Sequence, residues 1–425
     1  MAHHRDEQPL PSGTRDSLLS LLTSRNFGFY VGVRVTQMLG LSIQSAAILW
    51  QVYDLTGSAL PLAFVGVARF VPTLALSFIA GAITDIRDRR IVLAIAQLAP
   101  LTTSLMLASL TALGTINLTV IYTSVVVLGI AGAFENPARQ AILPLVIPRH
   151  SFQRGVAVAT IVHQVAGVFG PAGAGLAIMQ SGVAPAYLIH AALVLLGLVC
   201  LAGIRVGTPS PSGGLSIAMI VEGFAFIRAH PAILGAMALD MFAVILSGAD
   251  ALLPIYARDV LGVGAFGFGL LTSSKAIGSL ATAIAMALLP PIVATGRTMV
   301  DMVALFGVAT IGFGLSTWFP LSLLLYSLIA AFDQVSVVLR QSIIQLGTPD
   351  ELRGRVSSVN QVFVGASNQL GATRAGLVAA WTDSAVVAVV SGGVGCLIAV
   401  AVTTLLIPAL WRYREPTPET APARG

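Results

Sequence analysis

Long apolar runs separated by short polar breaks are the dominant pattern of this chain. A helix needs roughly 20 apolar residues to cross about 30 Å of hydrocarbon. Twelve runs of that order occur, over residues 27–53, 60–82, 91–113, 118–138, 156–180, 185–205, 232–256, 265–289, 298–317, 321–345, 356–381 and 385–409. The breaks at 54–59, 114–117, 181–184 and 318–320 hold little more than a turn, so the runs beside them form antiparallel hairpins. The pattern predicts an all-α membrane protein of twelve transmembrane helices.

Composition agrees and narrows the choice. Hydrophobic residues make up 56% and charged residues only 10%, with a mean hydropathy of +0.89. Soluble domains carry about 25% charged residues, so a soluble enzyme, a DNA-binding protein and a disordered tail protein are all disfavoured. The 42 glycines suit helices that approach closely in a bilayer. Cys200 and Cys396, the only cysteines, lie in apolar runs and offer neither a disulfide framework nor a metal cluster. No cofactor is expected.

The net charge of +5 comes almost wholly from arginine, and its placement is informative. With an even number of spans both termini lie on one side. Seventeen arginines fall on that side and only Arg258 on the other. By the positive-inside rule both termini are expected in the cytoplasm, and the basic balance reports orientation rather than a nucleic-acid partner. The polar stretch before the first span lacks the apolar core and cleavage site of a signal peptide, so it reads as a cytoplasmic tail.

The longest polar stretch between spans begins Gly207-Thr-Pro-Ser-Pro-Ser-Gly-Gly, a linker composition, and ends in a segment of helical character. Six spans lie on each side. Arg139-Gln140 to Pro148 aligns with Arg340-Gln341 to Pro349 at an offset of about 201 residues, and Arg154/Arg355, Gly170/Gly371 and Gly175/Gly376 share it. Both copies lead from the inner end of an even-numbered span into the next, so the two repeats are parallel. The expected organisation is a tail (1–26), a six-helix bundle (27–206), a linker with an interfacial helix (207–230), a second six-helix bundle (231–410) and a tail (411–425).

Between spans 2 and 3, Gly81-Ala-Ile-Thr-Asp85-Ile-Arg-Asp-Arg89-Arg90 resembles the signature loop of the major facilitator superfamily, Gly-x-x-x-Asp-Arg-x-Gly-Arg-Arg/Lys. Ile86 replaces the usual arginine and Asp88 the usual glycine. Asn136-Pro-Ala-Arg-Gln-Ala-Ile-Leu-Pro144 and Glu351-Leu-Arg-Gly-Arg-Val-Ser357 look like the subgroup of enterobactin exporters and macrolide-efflux proteins. Gly170-Pro171-Ala-Gly173-Ala-Gly175 in span 5 is similar to the Gly-Pro motif of drug:proton antiporters. The resemblance implies a gate in which Asp85 meets the N-terminal end of span 11, near Arg353 and Arg355. It also implies that spans 1, 4, 7 and 10 line a central cavity.

Ionisable residues at membrane depth cost about 2.5–3.5 kcal/mol each on insertion scales and normally face partners or water. Arg34, Gln37, Gln44 and Gln51 form a polar stripe on span 1; Asp240, Ser247 and Asp250 share span 7; Asp333, Ser336 and Arg340 share span 10. Glu135 and Arg139 stand at i and i+4 in span 4. These stripes fall on the four helices that the resemblance assigns to the cavity. Arg69, Lys275, His163, Asn360 and Arg374 extend the set to neighbouring spans. Asp240, Asp250, Glu135 and Asp333 are the candidate proton carriers, Asp240 foremost because a short carboxylate at mid-span cannot reach the interface.

The functional expectation is a secondary transporter of the cell membrane, a monomer exporting small amphipathic molecules such as drugs, antibiotics or siderophores in exchange for protons. An importer of the same superfamily is the alternative. No Gly-x-x-x-x-Gly-Lys-Ser/Thr, His-Glu-x-x-His or Gly-x-Ser-x-Gly motif supports an ATPase or a membrane enzyme.

Overall fold

The computed structural model describes residues 24–147, 151–205, 217–289 and 295–413. Most of the two expected tails, the first part of the linker and the side chain of Asp85 lie outside the described residues. Six helices precede the linker: α1 (Arg25–Thr56), α2 (Ala59–Ile86), α3 (Arg89–Ala112), α4 (Leu118–Val146), α5 (Phe152–Ser181) and α6 (Val183–Gly203). A linker helix α7 (Ile217–Ala229) leads into α8 (Pro231–Ser247), α9 (Gly264–Leu288), α10 (Gly296–Leu315), α11 (Phe319–Leu346), α12 (Asp350–Thr382) and α13 (Ala385–Leu406), with a short α14 (Pro408–Arg412) at the end. No β-strand occurs among the described residues.

Local chemistry sets the turns. Gly57 and Gly182 take φ of 59° and 81°, a left-handed backbone that lets α1 and α5 reverse into the next helix within a few residues. Asp88, Asn117, Thr295 and Ser384 accept backbone N–H groups at the starts of α3, α4, α10 and α13. The Arg90 guanidinium beside Asp88 holds that carboxyl below the usual aspartate range.

Ten of the helices are long and apolar enough to cross a membrane, counting α8 with its continuation to Val260. The other two long helices are α1 and α12, of 32 and 33 residues, which carry polar side chains along their length. They complete twelve. These polar helices are sheltered by neighbours, α1 by α5 and α6, and α12 by α2, α8 and α13.

The seventh span is not the continuous helix its hydrophobicity suggests. α8 stops at Ser247, and the chain passes through a 3₁₀ turn (Asp250–Leu252) and a π turn (Tyr256–Val260). The break lies where α8 crosses α12: a Cβ on Gly248 would come within 2.6 Å of the Gly371 backbone. Irregular backbone at membrane depth is tolerated where it is buried in protein or lines a cavity.

The two six-helix bundles meet through α2 with α12 and α5 with α9. A Cβ on Gly175 would approach the Ala265 carbonyl oxygen to 2.5 Å, and one on Gly269 the Pro171 oxygen to 2.4 Å. At the end away from the termini one apolar core joins both bundles, with Trp50, Tyr53 and Leu62 against Leu252, Tyr256 and Phe268. At the end bearing the termini the core divides. Phe27, Leu93 and Ile142 pack within the first bundle, and Ile233, Leu339 and Ile343 within the second. The molecule is closed at one end, and its two bundles have separate cores at the other.

Candidate functional site

Between the bundles lies a chamber of about 290 Å³. Ser45, Ile48 and Leu49 of α1, Leu62, Val65 and Arg69 of α2, and Val125 and Leu128 of α4 form one wall. Asp250, Lys275 of α9, and Tyr326 and Asp333 of α11 form the opposite one, beside Phe306 and Ile329. Most of this surface is apolar, and its charges are concentrated on the second wall.

The break after α8 positions that charged cluster. Asp250 begins the 3₁₀ turn, and both its carboxylate oxygens accept from Lys275 Nζ, at 2.8 and 2.7 Å. Tyr326 OH donates to the same carboxylate. Asp333 lies on α11 within electrostatic range of Lys275, yet among the described residues it forms no ion pair of its own. Across the chamber Arg69 donates to Ser45 Oγ at 3.2 Å. Lys275 is the only lysine of the sequence.

The predicted stripes separate into three groups. Ser247, Asp250 and Asp333 line the chamber. Asp240 and Arg340 do not: they form a 2.6 Å ion pair inside the second bundle, with side chains 7% and 4% exposed. Asn360 Oδ1 accepts a second, longer bond from Arg340 at 3.4 Å. The stripe on α1 also turns away from the chamber. Gln51 is buried between Tyr187 and Thr111, accepting from one at 2.7 Å and donating to the other at 2.7 Å. Gln37 and Gln44, with Glu135 and Arg139, line a separate cavity inside the first bundle. Arg34 reaches the Ala159 carbonyl at 3.5 Å. The reason is helical phase. Residues spaced by seven share one face of α1, and that face meets α3 and α6, while Ser45, Ile48 and Leu49 on the adjacent face meet the chamber.

The signature-loop residues sit at the end bearing the termini. Arg89 is buried and donates to the Ala141 carbonyl at 3.0 Å; Arg90 donates to the Ile204 carbonyl at 2.7 Å and pairs with Asp88 at 3.0 Å. Arg353 pairs with Asp350 and Arg355 with Glu222 of α7, each at 2.6 Å and each within the second half of the chain. In the span 5 motif, Gly170 packs on Ser42 of α1, while Pro171 and Gly175 form the crossing with α9. Gly81 and Gly173 have open space where a side chain would stand. His163 touches Met38 Sδ at 3.5 Å, a packing position.

In the sequence Lys275 has a minor place, and Tyr326, Ser45 and Gln97 do not stand out. The lone lysine in an apolar span was a visible signal for the first. Ser247-Gly248-Ala249-Asp250, small and turn-forming residues in mid-span, marked the helix break. Nothing in the sequence marked Tyr326, whose role depends on a contact 76 residues away in the chain.

A family model described as transmembrane secretion effector matches residues 19–415. The chain belongs to this family of major facilitator transporters. It is a multi-pass membrane transporter of small molecules and not an enzyme. The multidrug efflux pump Tap of Mycolicibacterium fortuitum is 27% identical over 357 residues, covering 80% of this chain and 86% of Tap. A staphyloferrin A transporter of Staphylococcus aureus is 32% identical over 143 residues, covering 32% of this chain and 35% of the other. Among solved structures, a bacterial homologue of the human lysosomal transporter Spinster, inward-facing and unoccupied, superposes with a TM-score of 0.65 at 14% identity. That match covers 91% of this chain and 97% of the other and establishes a shared fold.

Proposed function

We propose that this transporter is an exporter of small amphipathic molecules, driven by protons moving the other way through alternating access, with both termini in the cytoplasm. The observation that carries the reading is the chamber between the bundles, apolar over most of its wall, with Asp333 as a carboxylate that has no ion-pair partner among the described residues. A proton and the cationic part of a cargo would compete for such a group, and mutually exclusive occupancy of one site is what converts two downhill and uphill movements into exchange. The likeness to Tap, an efflux pump, supports the outward direction for cargo. With the termini cytoplasmic, the bundles of this structure part on the inner side, the state in which cargo is collected.

Asp250 is the second coupling candidate, because protonation would release Lys275 from it. Glu135 is a third, in the side cavity. Asp240 is better explained as the structural partner of Arg340 than as a carrier. The gate residues Gly81, Asp85, Arg89 and Arg90 are proposed to close against α12 when the bundles rock, with Arg353 and Arg355 exchanging partners. The working unit is proposed to be the monomer, since the chamber is built within one chain.

The experiment is ethidium transport in proteoliposomes under an imposed pH gradient. Wild-type protein should move ethidium against the proton flow, and Asp333→Asn should uncouple the two. Ethidium movement that ignores the gradient, or an Asp333→Asn protein that still couples, would overturn the reading.

A further inference from the structure

The first bundle contains a second cavity, of about 240 Å³, that shares Arg69, Leu128 and Gln369 with the chamber and extends away from it between α1, α3, α4 and α6. Its chemistry differs from that of the chamber. Carboxamides of Gln37, Gln44, Gln97 and Gln369 line it, with Glu135 and Arg139 beside them.

Only part of this polar set is satisfied internally. Gln44 donates to Ser104 Oγ at 2.7 Å, and Ser104 in turn meets His190 Nδ1 at 2.6 Å. Gln37 is only 7% exposed, and its Oε1 is buried with no hydrogen-bond partner among the described residues. Arg139 Nε is in the same condition, although another nitrogen of that guanidinium donates to Asn136 Oδ1 at 2.6 Å. Glu135 forms no ion pair within 4 Å among the described residues. Buried acceptors and donors are ordinarily paired, so these groups are set to receive one.

The repeat sharpens the contrast. Arg340 stands 201 residues after Arg139, and Asp240 neutralises it. The residue 201 before Asp240 is Leu39, so the first bundle has no carboxylate at that place and leaves its arginine facing a cavity.

We propose that this cavity is a head-group subsite. It takes the hydroxyl- or amide-bearing end of a cargo whose apolar body lies in the chamber, and the inference rests on the chamber being the cargo site. A hydroxyl donates to Gln37 Oε1 or Glu135 and accepts from Arg139 or a carboxamide, which matches both kinds of unpaired group. Arg69 and Arg139 oppose a purely cationic head, and Glu135 opposes a purely anionic one. The shared wall at Arg69 and Gln369 makes the two cavities adjacent compartments of one site.

The test is a fluorescence titration of the full chain in nanodiscs with N-cyclohexyl-dansylamide, whose head is a hydrocarbon ring, and N-dansyl-glucosamine, the same body carrying a sugar head. The sugar probe should bind about tenfold more tightly, the factor associated with 1.4 kcal/mol. In Gln37→Leu and in Gln97→Leu, each checked for wild-type thermal unfolding, the ratio between the two probes should fall toward one. Equal binding of the two probes by wild-type protein would overturn the proposal. So would a preference for the sugar probe that survives both substitutions. Failure of export would show separately, as a sugar preference in binding without transport of either probe in proteoliposomes.

Discussion

Asp240 and Arg340 offer the sharpest separation between a structural and a coupling role. Asp240 Oδ2 lies 2.6 Å from Arg340, and both side chains are more than nine-tenths buried, away from either cavity. Asp240→Asn would leave the guanidinium in place, with the 3.4 Å bond to Asn360 as its remaining side-chain partner among the described residues. Removing one member of a buried pair costs about 3–5 kcal/mol, because the other charge remains desolvated. At about 2–4 °C per kcal/mol for a unit near 200 residues, the unfolding midpoint should fall on the order of 10 °C. Replacing both, as Asp240→Leu with Arg340→Met, should recover most of that loss, since well-packed apolar residues often substitute for a buried pair without cost. The assay is thermal unfolding in nanodiscs by tryptophan fluorescence, alongside proton-driven transport by the same preparations. The double variant should transport with coupling intact. An Asp240→Asn protein that unfolds like wild type but loses its response to the pH gradient would refute this reasoning and restore Asp240 as a carrier.

Lys275 is the only lysine, so its substitution by methionine should leave Asp250 with Tyr326 alone and abolish coupled transport; an amine-reactive reagent should modify Lys275 in wild-type protein, and bound cargo should slow that modification. At the closed end Arg258 pairs with Asp54 at 2.9 Å, with the two side chains about half exposed, while Tyr53 OH donates to Asp259. An exposed pair contributes about 0–1 kcal/mol, so Arg258→Ala alone should change transport rates by less than about fivefold, whereas Arg258→Ala with Tyr53→Phe should raise labelling of a cysteine introduced at Ala63. Gly175→Val should force α5 and α9 apart at their crossing and lower transport at least about tenfold while leaving membrane expression unchanged. Asp88→Ala should destabilise by about 1 kcal/mol through loss of the α3 cap. Because Arg90 holds the Asp88 carboxyl low, that contribution is full at neutral pH and disappears only as pH falls below the usual aspartate range, which pH-dependent unfolding of the two proteins would reveal.

The spans were legible because bilayer thickness imposes a length on each apolar run, and the helices extend past the apolar edges mainly where α2, α4, α5 and α12 leave the hydrocarbon. The two parallel bundles were legible from rare residues that recur at one offset. The direction each polar face takes was less so. Spacing shows that Gln37, Gln44 and Gln51 share a side of α1, but it cannot show whether that side meets the opposite bundle or α3 and α6. That depends on helix rotation, which is decided by close contacts such as Gly170 on Ser42 and Gly197 on Thr36. Nor does hydrophobicity register the break at Gly248, because glycine, alanine and serine read as mildly apolar whether they continue a helix or end one.

Arg139 and Arg340, which correspond at the repeat offset of 201 residues, serve two ends. Each follows a helix face toward the end bearing the termini, and each is followed by glutamine and an apolar turn. In the second bundle Asp240 closes the position, so the polar chemistry of that half is pushed toward the broken segment at Asp250. In the first bundle Leu39 leaves it open, and carboxamides collect around it instead. An exact repeat would place equivalent charges on both walls of the chamber. The divergence instead gives one wall an ion cluster and the other a polar recess, and Arg69, Leu128 and Gln369, common to both cavities, join the two.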